Sequence, residues 1–185
     1  MMHTEINNNR LTLITGDITK QNADAIVNAA NGTLMGGGGV DGAIHRAAGK
    51  QLLEACKQVR EKELNGEKLA TGQEVMTKGF ELPADWVIHT VGPVWSGNLQ
   101  SKKEQLANCY QNALKIAQAK NLSSIAFPSI STGVYRFPID LAAQIALETI
   151  ISFLKDHQFG EVVMVLFSEG DYTTYQQALN DQMNT

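Results

Sequence analysis

The chain has 185 residues, of which 43% are hydrophobic and 18% charged, a composition typical of one ordinary globular domain. Its formal net charge of −4 argues against a broad nucleic-acid-binding face, so an anionic ligand would have to be held locally by backbone dipoles. No apolar run approaches the roughly 18 residues of a membrane span, and the first ten residues lack a signal-peptide core, which predicts a cytoplasmic protein without a membrane partner.

Strand-like and helical segments alternate along the chain. The predicted elements are, in order, strands at 11–15 and 25–30, helices at 40–48 and 51–63, strands at 73–77 and 86–91, a helix at 101–120, a strand at 124–129, a helix at 138–155, a strand at 162–167 and a helix at 171–180. Several strands are apolar on both faces, which is typical of strands covered by helices on both sides. The pattern predicts an α/β fold, a three-layer α/β/α sandwich with a mixed, mostly parallel sheet of six or slightly more strands, as one domain over residues 1–185.

A run of four glycines, Gly36 to Gly39, lies between the second strand and the first helix. Consecutive glycines are costly in conformational entropy, so a folded chain needs a reason to keep them. Close approach of backbone N–H groups to a ligand is such a reason, and the following helix start adds unpaired N–H groups and a positive dipole end. Together these features predict a phosphate site, bracketed by Asn31 and Asp41.

Flexible linkers, dinucleotide-binding loops and Walker A loops are also rich in glycine, but each fits this run less well. A flexible surface linker would not be flanked by such apolar segments. Residues 37–42 match the dinucleotide pattern G-x-G-x-x-G, but the glycines do not directly follow the strand. A Walker A loop is excluded, because Gly49-Lys50 is followed by Gln51 rather than Ser or Thr.

Polar or aromatic residues follow four of the predicted strands. They are Asp17, Asn31, residues 129–135 and Phe167. Ligands of such folds lie beyond the carboxyl ends of the strands, so these residues are expected to converge there. Metal-ligand spacing is lacking, and Cys56 and Cys109 are expected to be small buried residues, so no metal and no cofactor are predicted.

Several blocks of the sequence resemble macrodomains of the MacroD type. The blocks are Gly16-Asp17-Ile18-Thr19, Ile26 to Asn31, Gly36 to His45, Pro83-Ala84, Val87 to Pro93 and Ile130 to Tyr135, in the family's order from about residue 11 to about residue 167. The resemblance is strongest to bacterial O-acetyl-ADP-ribose deacetylases. It implies a site for ADP-ribose and its esters, and a hydrolase that removes the acetyl group from O-acetyl-ADP-ribose or mono-ADP-ribose from protein Asp and Glu, with mono-ADP-ribosylated proteins as partners.

The resemblance also implies a role for each site residue. Asp17 would bind the adenine amino group and the backbone N–H of Ile18 the ring, although a turn or N-cap Asp remains an alternative. Asn31 would hold the terminal ribose, the alternative being a loop Asn bonded to its own backbone. Asp41 would be the general base or orient water, unless it is a simple helix-start acid. His45, one helical turn later, would steer water or Asp41, or be structural.

Two loops are expected to grip the diphosphate through backbone N–H groups. The residues of the loops are Gly38, Gly39, Val40 and Asp41 in the first, and Ser131, Thr132, Gly133, Val134 and Tyr135 in the second. Gly133 is expected to allow an unusual turn, and Tyr135 to cover the ribose or to pack on the surface. Phe167 would stack on adenine or belong to the core. Asn28 and His89 are interpreted as structural.

The chain departs from the family pattern in two places. Residues 67–70 replace a frequent Gly-x-Cys, which is expected to change a loop rather than the chemistry. Arg136 stands where relatives commonly have glycine. Two other functions stay open, a non-catalytic ADP-ribose-binding module and an ADP-ribose 1″-phosphate phosphatase. The presence of both Asn31 and Asp41 favours the hydrolase over the binding module.

Overall fold

The computed structural model describes residues 1–184, and within them a seven-stranded mixed sheet lies between two layers of helices. The elements are β1 (Met2–Ile6), β2 (Asn9–Thr15), a 3₁₀ helix (Ile18–Lys20), β3 (Ala25–Ala29), α1 (Gly39–Ala48), α2 (Lys50–Lys62), β4 (Glu74–Lys78), β5 (Trp86–Thr90), α3 (Leu99–Ala119), β6 (Ser124–Phe127), α4 (Ile139–Asp156), β7 (Glu161–Leu166) and α5 (Glu169–Met183). The predicted three-layer α/β/α fold is confirmed.

The strand order across the sheet is β1-β2-β7-β6-β3-β5-β4. The five central strands, β2, β7, β6, β3 and β5, are mutually parallel, whereas β1 and β4 run antiparallel at the two edges. Because parallel strands end at the same edge of a sheet, the segments that follow β2, β7, β6 and β3 lie side by side. The sheet therefore creates one continuous edge on which a ligand site can be built.

Apolar side chains alternate between the two faces of the central strands. Ile26 packs in the cluster that includes residues of α1 and α2, while Ala25 and Val27 pack in the cluster that includes residues of α3, α4 and α5. All three side chains are fully buried. The period of two along β3 thus supplies both halves of the core, as expected for a strand covered on both faces.

The strand β1 is the element that the sequence analysis missed. It pairs with β2 through a tight hairpin in which Asn7 and Asn8 adopt positive φ values of 52° and 66°. Two asparagines with positive φ are typical of a two-residue hairpin turn. The available signal was the pair Asn7-Asn8 itself, because residues 2–6 include three consecutive polar residues and show no alternation of polar and apolar types.

Candidate active site

The adenine end of the predicted site lies where β2 and β7 end. The N–H of Gly16 donates to the carbonyl of Leu166 at 3.0 Å, so Asp17 and Phe167 follow neighbouring strand ends. Oδ1 of Asp17 accepts from the N–H and the hydroxyl of Thr19, at 2.9 and 2.7 Å, and thereby caps the 3₁₀ helix. These bonds to Thr19 lower the pKa of Asp17. The N-cap alternative is therefore correct for Oδ1, while the side chain as a whole remains exposed.

Ile18 and Phe167 occupy opposite environments. The side chain of Ile18 is buried in the core, so any part it takes in a ligand site is through its backbone. Phe167 is 90% exposed, and the alternative that it belongs to the core is wrong. An exposed aromatic ring beside a strand end has no packing role, which leaves it available to stack on a flat ligand.

The glycine loop leads into a helix start that no side chain caps. α1 begins at Gly39, within a residue of the predicted start, and its N-cap Gly38 has no side chain to occupy the first N–H groups. Gly36 and Gly39 have positive φ values of 89° and 57°, which only glycine adopts at low cost. A Cβ added at Gly38 or Gly39 meets no protein atom within 4 Å. The space beside the backbone of Gly38 and Gly39, at the start of α1, is therefore open.

Asn31 is held in a fixed orientation after β3. Its Nδ2 donates to the carbonyl of Gly36 at 3.0 Å, and its Oδ1 accepts from the hydroxyl of Thr33 at 2.7 Å. A Cβ on Gly37 would lie 3.0 Å from Nδ2 of Asn31 and 3.2 Å from Oδ2 of Asp41. Glycine at this position therefore keeps a narrow gap between an amide donor and a carboxylate acceptor.

Asp41 is buried in the first turn of α1, with 5% of its surface exposed. Its Oδ1 accepts from Nδ2 of Asn28 at 2.9 Å, and Nε2 of His45 lies 3.5 Å from the same oxygen. Its Oδ2 is buried without a hydrogen-bond partner among the described residues. A carboxylate oxygen in this state is an acceptor available to a water molecule or a ligand hydroxyl.

Asn28 is a site residue that the sequence analysis interpreted as structural. It is fully buried near the end of β3, and its Nδ2 lies 2.9 Å from Oδ1 of Asp41 and 3.1 Å from Nδ1 of His89. The signal was a buried polar residue in an otherwise apolar strand, near the strand's end. Its direct contact with Asp41 depends on how α1 packs on the sheet, which no local pattern predicts.

The second loop follows β6, and its unusual turn does not lie at the predicted residue. Ser131 and Arg136 have positive φ values of 69° and 62°, whereas Gly133 does not, so the expectation that Gly133 makes the unusual turn is wrong. The turn is closed by Arg136, whose N–H donates to the carbonyl of Gly133 at 3.0 Å, and by Phe137, whose N–H donates to Ser131 at 2.9 Å. A Cβ on Gly133 meets nothing within 4 Å, so this backbone also faces open space.

Hydrogen bonds attach the rest of the second loop to neighbouring residues. The hydroxyl of Thr132 donates to the carbonyl of Ser129 at 3.2 Å, and the carbonyl of Tyr135 accepts from the N–H of Trp95 at 2.9 Å. Val134 is 91% exposed at the tip, and Tyr135 is half-buried. The loop is therefore hydrogen-bonded to its surroundings at both ends and exposed at its tip.

Within residues 1–184, no group of three or more His, Cys, Asp and Glu side chains is arranged to hold a metal ion. In the same part of the chain, the helices are all too short or too polar to cross a bilayer.

Comparison with known proteins identifies the family. A family model described as Macro domain matches residues 27–146, the segment from β3 to the middle of α4. The chain belongs to the macro domain family. The matched segment includes the glycine loop, Asn31, Asp41 and the second loop of this macro domain.

Relatives of this macro domain include enzymes and ligand complexes. It is 50% identical to the O-acetyl-ADP-ribose deacetylase of Escherichia fergusonii, over 94% of this chain and 97% of that protein. It is 48% identical to human ADP-ribose glycohydrolase MACROD2, over 93% of this chain but 40% of that longer protein. The structure of the Oceanobacillus iheyensis macrodomain with ADP is 56% identical, with a TM-score of 0.97 over 99% of this chain and 96% of that one.

Proposed function

We propose that this macro domain is a hydrolase that removes the acyl group from esters of ADP-ribose. The substrates are O-acetyl-ADP-ribose and proteins that carry mono-ADP-ribose on Asp or Glu. One observation carries the proposal: Oδ2 of the buried Asp41 has no hydrogen-bond partner among the described residues and lies across a side-chain-free gap from the amide of Asn31. A binding module needs no such unpaired acceptor, which is costly to bury.

The sheet edge provides a separate contact for each part of ADP-ribose. Adenine lies between Asp17 and the exposed ring of Phe167, where the N–H of Ile18 also meets it. The diphosphate lies between the two loops, over the uncapped start of α1 and the backbone of Gly133. The terminal ribose lies at Asn31, whose remaining amide hydrogen is directed to its hydroxyls.

The reaction is hydrolysis of an ester by a water molecule in the gap beside Gly37. Oδ2 of Asp41 accepts a proton from the water as the water oxygen attacks the ester carbonyl carbon. The bond between the carbonyl carbon and the ribose oxygen then breaks, the ribose oxygen takes up the proton, and free ADP-ribose and the carboxylic acid leave. His45 lies beside Oδ1 and orients the carboxylate. Backbone N–H groups stabilise the charge that develops in the transition state.

The names of the relatives support this assignment. One relative that matches over nearly its whole length is called an O-acetyl-ADP-ribose deacetylase, and another is called an ADP-ribose glycohydrolase. The agreement is strongest for the acetyl ester, because that relative and this chain have nearly the same length. Mono-ADP-ribosylated proteins as partners follow from the same chemistry, since a protein carboxylate is also an acyl group on the ribose.

The test is a product assay on three substrates. The protein is incubated with O-acetyl-ADP-ribose, with a protein mono-ADP-ribosylated on Glu, and with ADP-ribose 1″-phosphate, and free ADP-ribose is measured by chromatography. Release from the two esters, with one acetate per ADP-ribose from the first, is expected. Binding of ADP-ribose without release from any substrate would make the protein a binding module, and release from the phosphate alone would make it a phosphatase.

A further inference from the structure

A buried chain of polar side chains runs from Asp41 across one face of the sheet, away from the cleft between the two loops. Nδ2 of Asn28 lies 2.9 Å from Oδ1 of Asp41 and 3.1 Å from Nδ1 of His89, and Nε2 of His89 lies 2.9 Å from the hydroxyl of Thr77. Asn28 on β3 and His89 on β5 are direct partners in the parallel register, and Thr77 lies on the neighbouring strand β4. The chain thus connects the cleft to the edge strand of the sheet.

The chemistry of the four groups allows one arrangement of hydrogens. An ionised Asp41 only accepts hydrogen bonds, so the amide nitrogen of Asn28 rather than its oxygen must face Oδ1. An amide nitrogen only donates, so Nδ1 of His89 must accept from Asn28 and carry no proton. The proton of a neutral His89 is then on Nε2, which donates to the hydroxyl of Thr77.

Burial excludes a charged form of His89. The side chain has no exposed surface, and this desolvation, with the nearby His45, lowers the pKa of His89 to about 3. Sγ of Cys56 lies 3.9 Å from Nε2, and burial raises the pKa of Cys56 to about 12, so a neutral thiol is the neighbour on that side. This orientation of the Asn28 amide costs free energy, because its Oδ1 is buried without a hydrogen-bond partner among the described residues.

We propose that His89 is a positioning residue for the ester hydrolysis, through a fixed tautomer. As the Nε2–H form, His89 locks the amide of Asn28, the amide holds Oδ1 of Asp41, and Oδ2 is thereby left to face the water in the cleft. The inference rests on the proposed function, and it adds Asn28, His89 and Thr77 to the residues that set the rate. If the amide of Asn28 were reversed, its oxygen would repel the carboxylate and turn Asp41 away from the gap.

The first test reads the tautomer directly. In the ¹⁵N-labelled wild type, two-dimensional spectra of the histidine rings should show His89 with Nδ1 unprotonated and Nε2 protonated, unchanged from pH 5 to pH 8. Spectra that show a proton on Nδ1, or a titrating ring, would overturn the inference. This measurement does not depend on turnover, so it gives a result even if the proposed function fails.

The second test separates positioning from folding. His89→Leu should lower kcat for O-acetyl-ADP-ribose by roughly 10- to 100-fold, since small displacements of a catalytic group have effects of this size, while the Kd for ADP-ribose stays unchanged. His89→Asn should restore most of the rate, because its side-chain oxygen can accept from Asn28 near the former position of Nδ1. The matched control is His157→Leu, because His157 bonds the carbonyl of Phe153 on α4, outside this chain of contacts.

Two outcomes of the second test would overturn the inference. One is wild-type kcat in His89→Leu, and the other is a rate loss in His89→Leu no larger than that in His157→Leu. If His89→Leu does not fold, Thr77→Val takes its place, because it removes the acceptor of Nε2–H without touching the cleft. A wild type that hydrolyses neither ester would overturn the proposed function, and the positioning role with it, whereas the ring spectra would still report whether His89 fixes Asn28.

Discussion

At the scale of single residues, the unpaired oxygen of Asp41 is the feature that most needs a physical explanation. Leaving a buried acceptor unsatisfied costs about 1–3 kcal/mol. The neighbours of Asp41 do not remove this cost in free energy. Asn28 donates to Oδ1, the other oxygen, and Gly37 has no side chain that could fill the gap beside Oδ2. The folded protein is thus less stable than it could be, and Oδ2 remains an acceptor that only water or a ligand satisfies.

Replacing the exposed ring at the adenine end should weaken binding without affecting the fold. Phe167→Ala removes a side chain that is 90% exposed, so the free energy of unfolding should hardly change. Stacking of a base on an aromatic ring contributes about 1–3 kcal/mol, so the free energy of ADP-ribose binding should become less favourable by that amount. Calorimetry measures both, and Phe80→Ala is the control, because Phe80 follows β4 at the opposite end of the sheet. Unchanged affinity in Phe167→Ala would remove the ring from the site.

The buried imidazole of His89 should make the stability of the protein depend on pH. Its pKa is lowered from 6.5 to about 3 on folding, so between these values the unfolded chain holds a proton that the folded chain lacks. The contribution of His89 to stability is therefore complete above pH 6.5 and is lost as the pH falls, by about 1.4 kcal/mol per pH unit.

The comparison with His89→Asn isolates this contribution, because Asn does not titrate. Urea unfolding should show that the wild type loses about 2 kcal/mol more than the variant between pH 7 and pH 5. Equal losses would mean that His89 is protonated in the folded protein.

At the scale of elements, each half of the proposed phosphate site is a loop that follows a parallel strand and exposes backbone. Gly38→Val and Gly133→Val should each weaken ADP-ribose binding, because the added side chain narrows the space that the phosphates need. Both variants should fold, since a Cβ at either position meets no protein atom within 4 Å. Calorimetry and thermal unfolding are the measurements.

A third glycine provides the contrast. At Gly79 a Cβ would collide with the carbonyl of Ala84, so Gly79→Ala should destabilise the fold by about 1–3 kcal/mol yet keep ligand affinity. Normal binding by both Gly38→Val and Gly133→Val would refute the anion site.

Local chemistry predicted most elements but not their ends. The helix expected from Ser101 begins at Leu99, because the side chain of Asn98, rather than that of Ser101, caps it by accepting from the N–H of Ser101 at 3.2 Å. Asn98 and Ser101 stand three positions apart, and which of them caps the helix depends on how the preceding loop enters it. In the second loop, too, the path of the chain rather than the residue type decides the backbone angles, so the positive φ values fall at Ser131 and Arg136 and not at Gly133.

At the scale of the whole molecule, the strand order determines what the site can hold. The sequence predicted that residues after four strands converge, because carboxyl ends of parallel strands share one edge. It did not predict their order along that edge, which runs from Asp17 through Phe167 and the second loop to Asn31. That order depends on pairing between strands far apart in the chain.

The length of this edge predicts a preference for a long ligand. Three steps between neighbouring strands separate β2 from β3, which amounts to roughly 14 Å at about 4.8 Å per step. In the proposed site, AMP would contact the adenine end alone, whereas ADP-ribose would also reach Asn31. Calorimetry should therefore give ADP-ribose at least about a tenfold advantage, or 1.4 kcal/mol. Equal affinities would contradict a site that extends along the edge.

The most direct test of the central claim compares turnover and binding in Asp41→Ala. In the proposed site the carboxylate would lie next to an anionic ligand and contribute little to its binding, so the affinity for ADP-ribose should stay close to that of the wild type. A positioned general base contributes about 10²–10⁴-fold, so kcat on O-acetyl-ADP-ribose should fall by at least about 100-fold, or roughly 3 kcal/mol. Asn31→Ala is the comparison variant and should impair both binding and rate. Wild-type turnover in Asp41→Ala would contradict the account and leave Asp41 as an ordinary acid at the start of a helix.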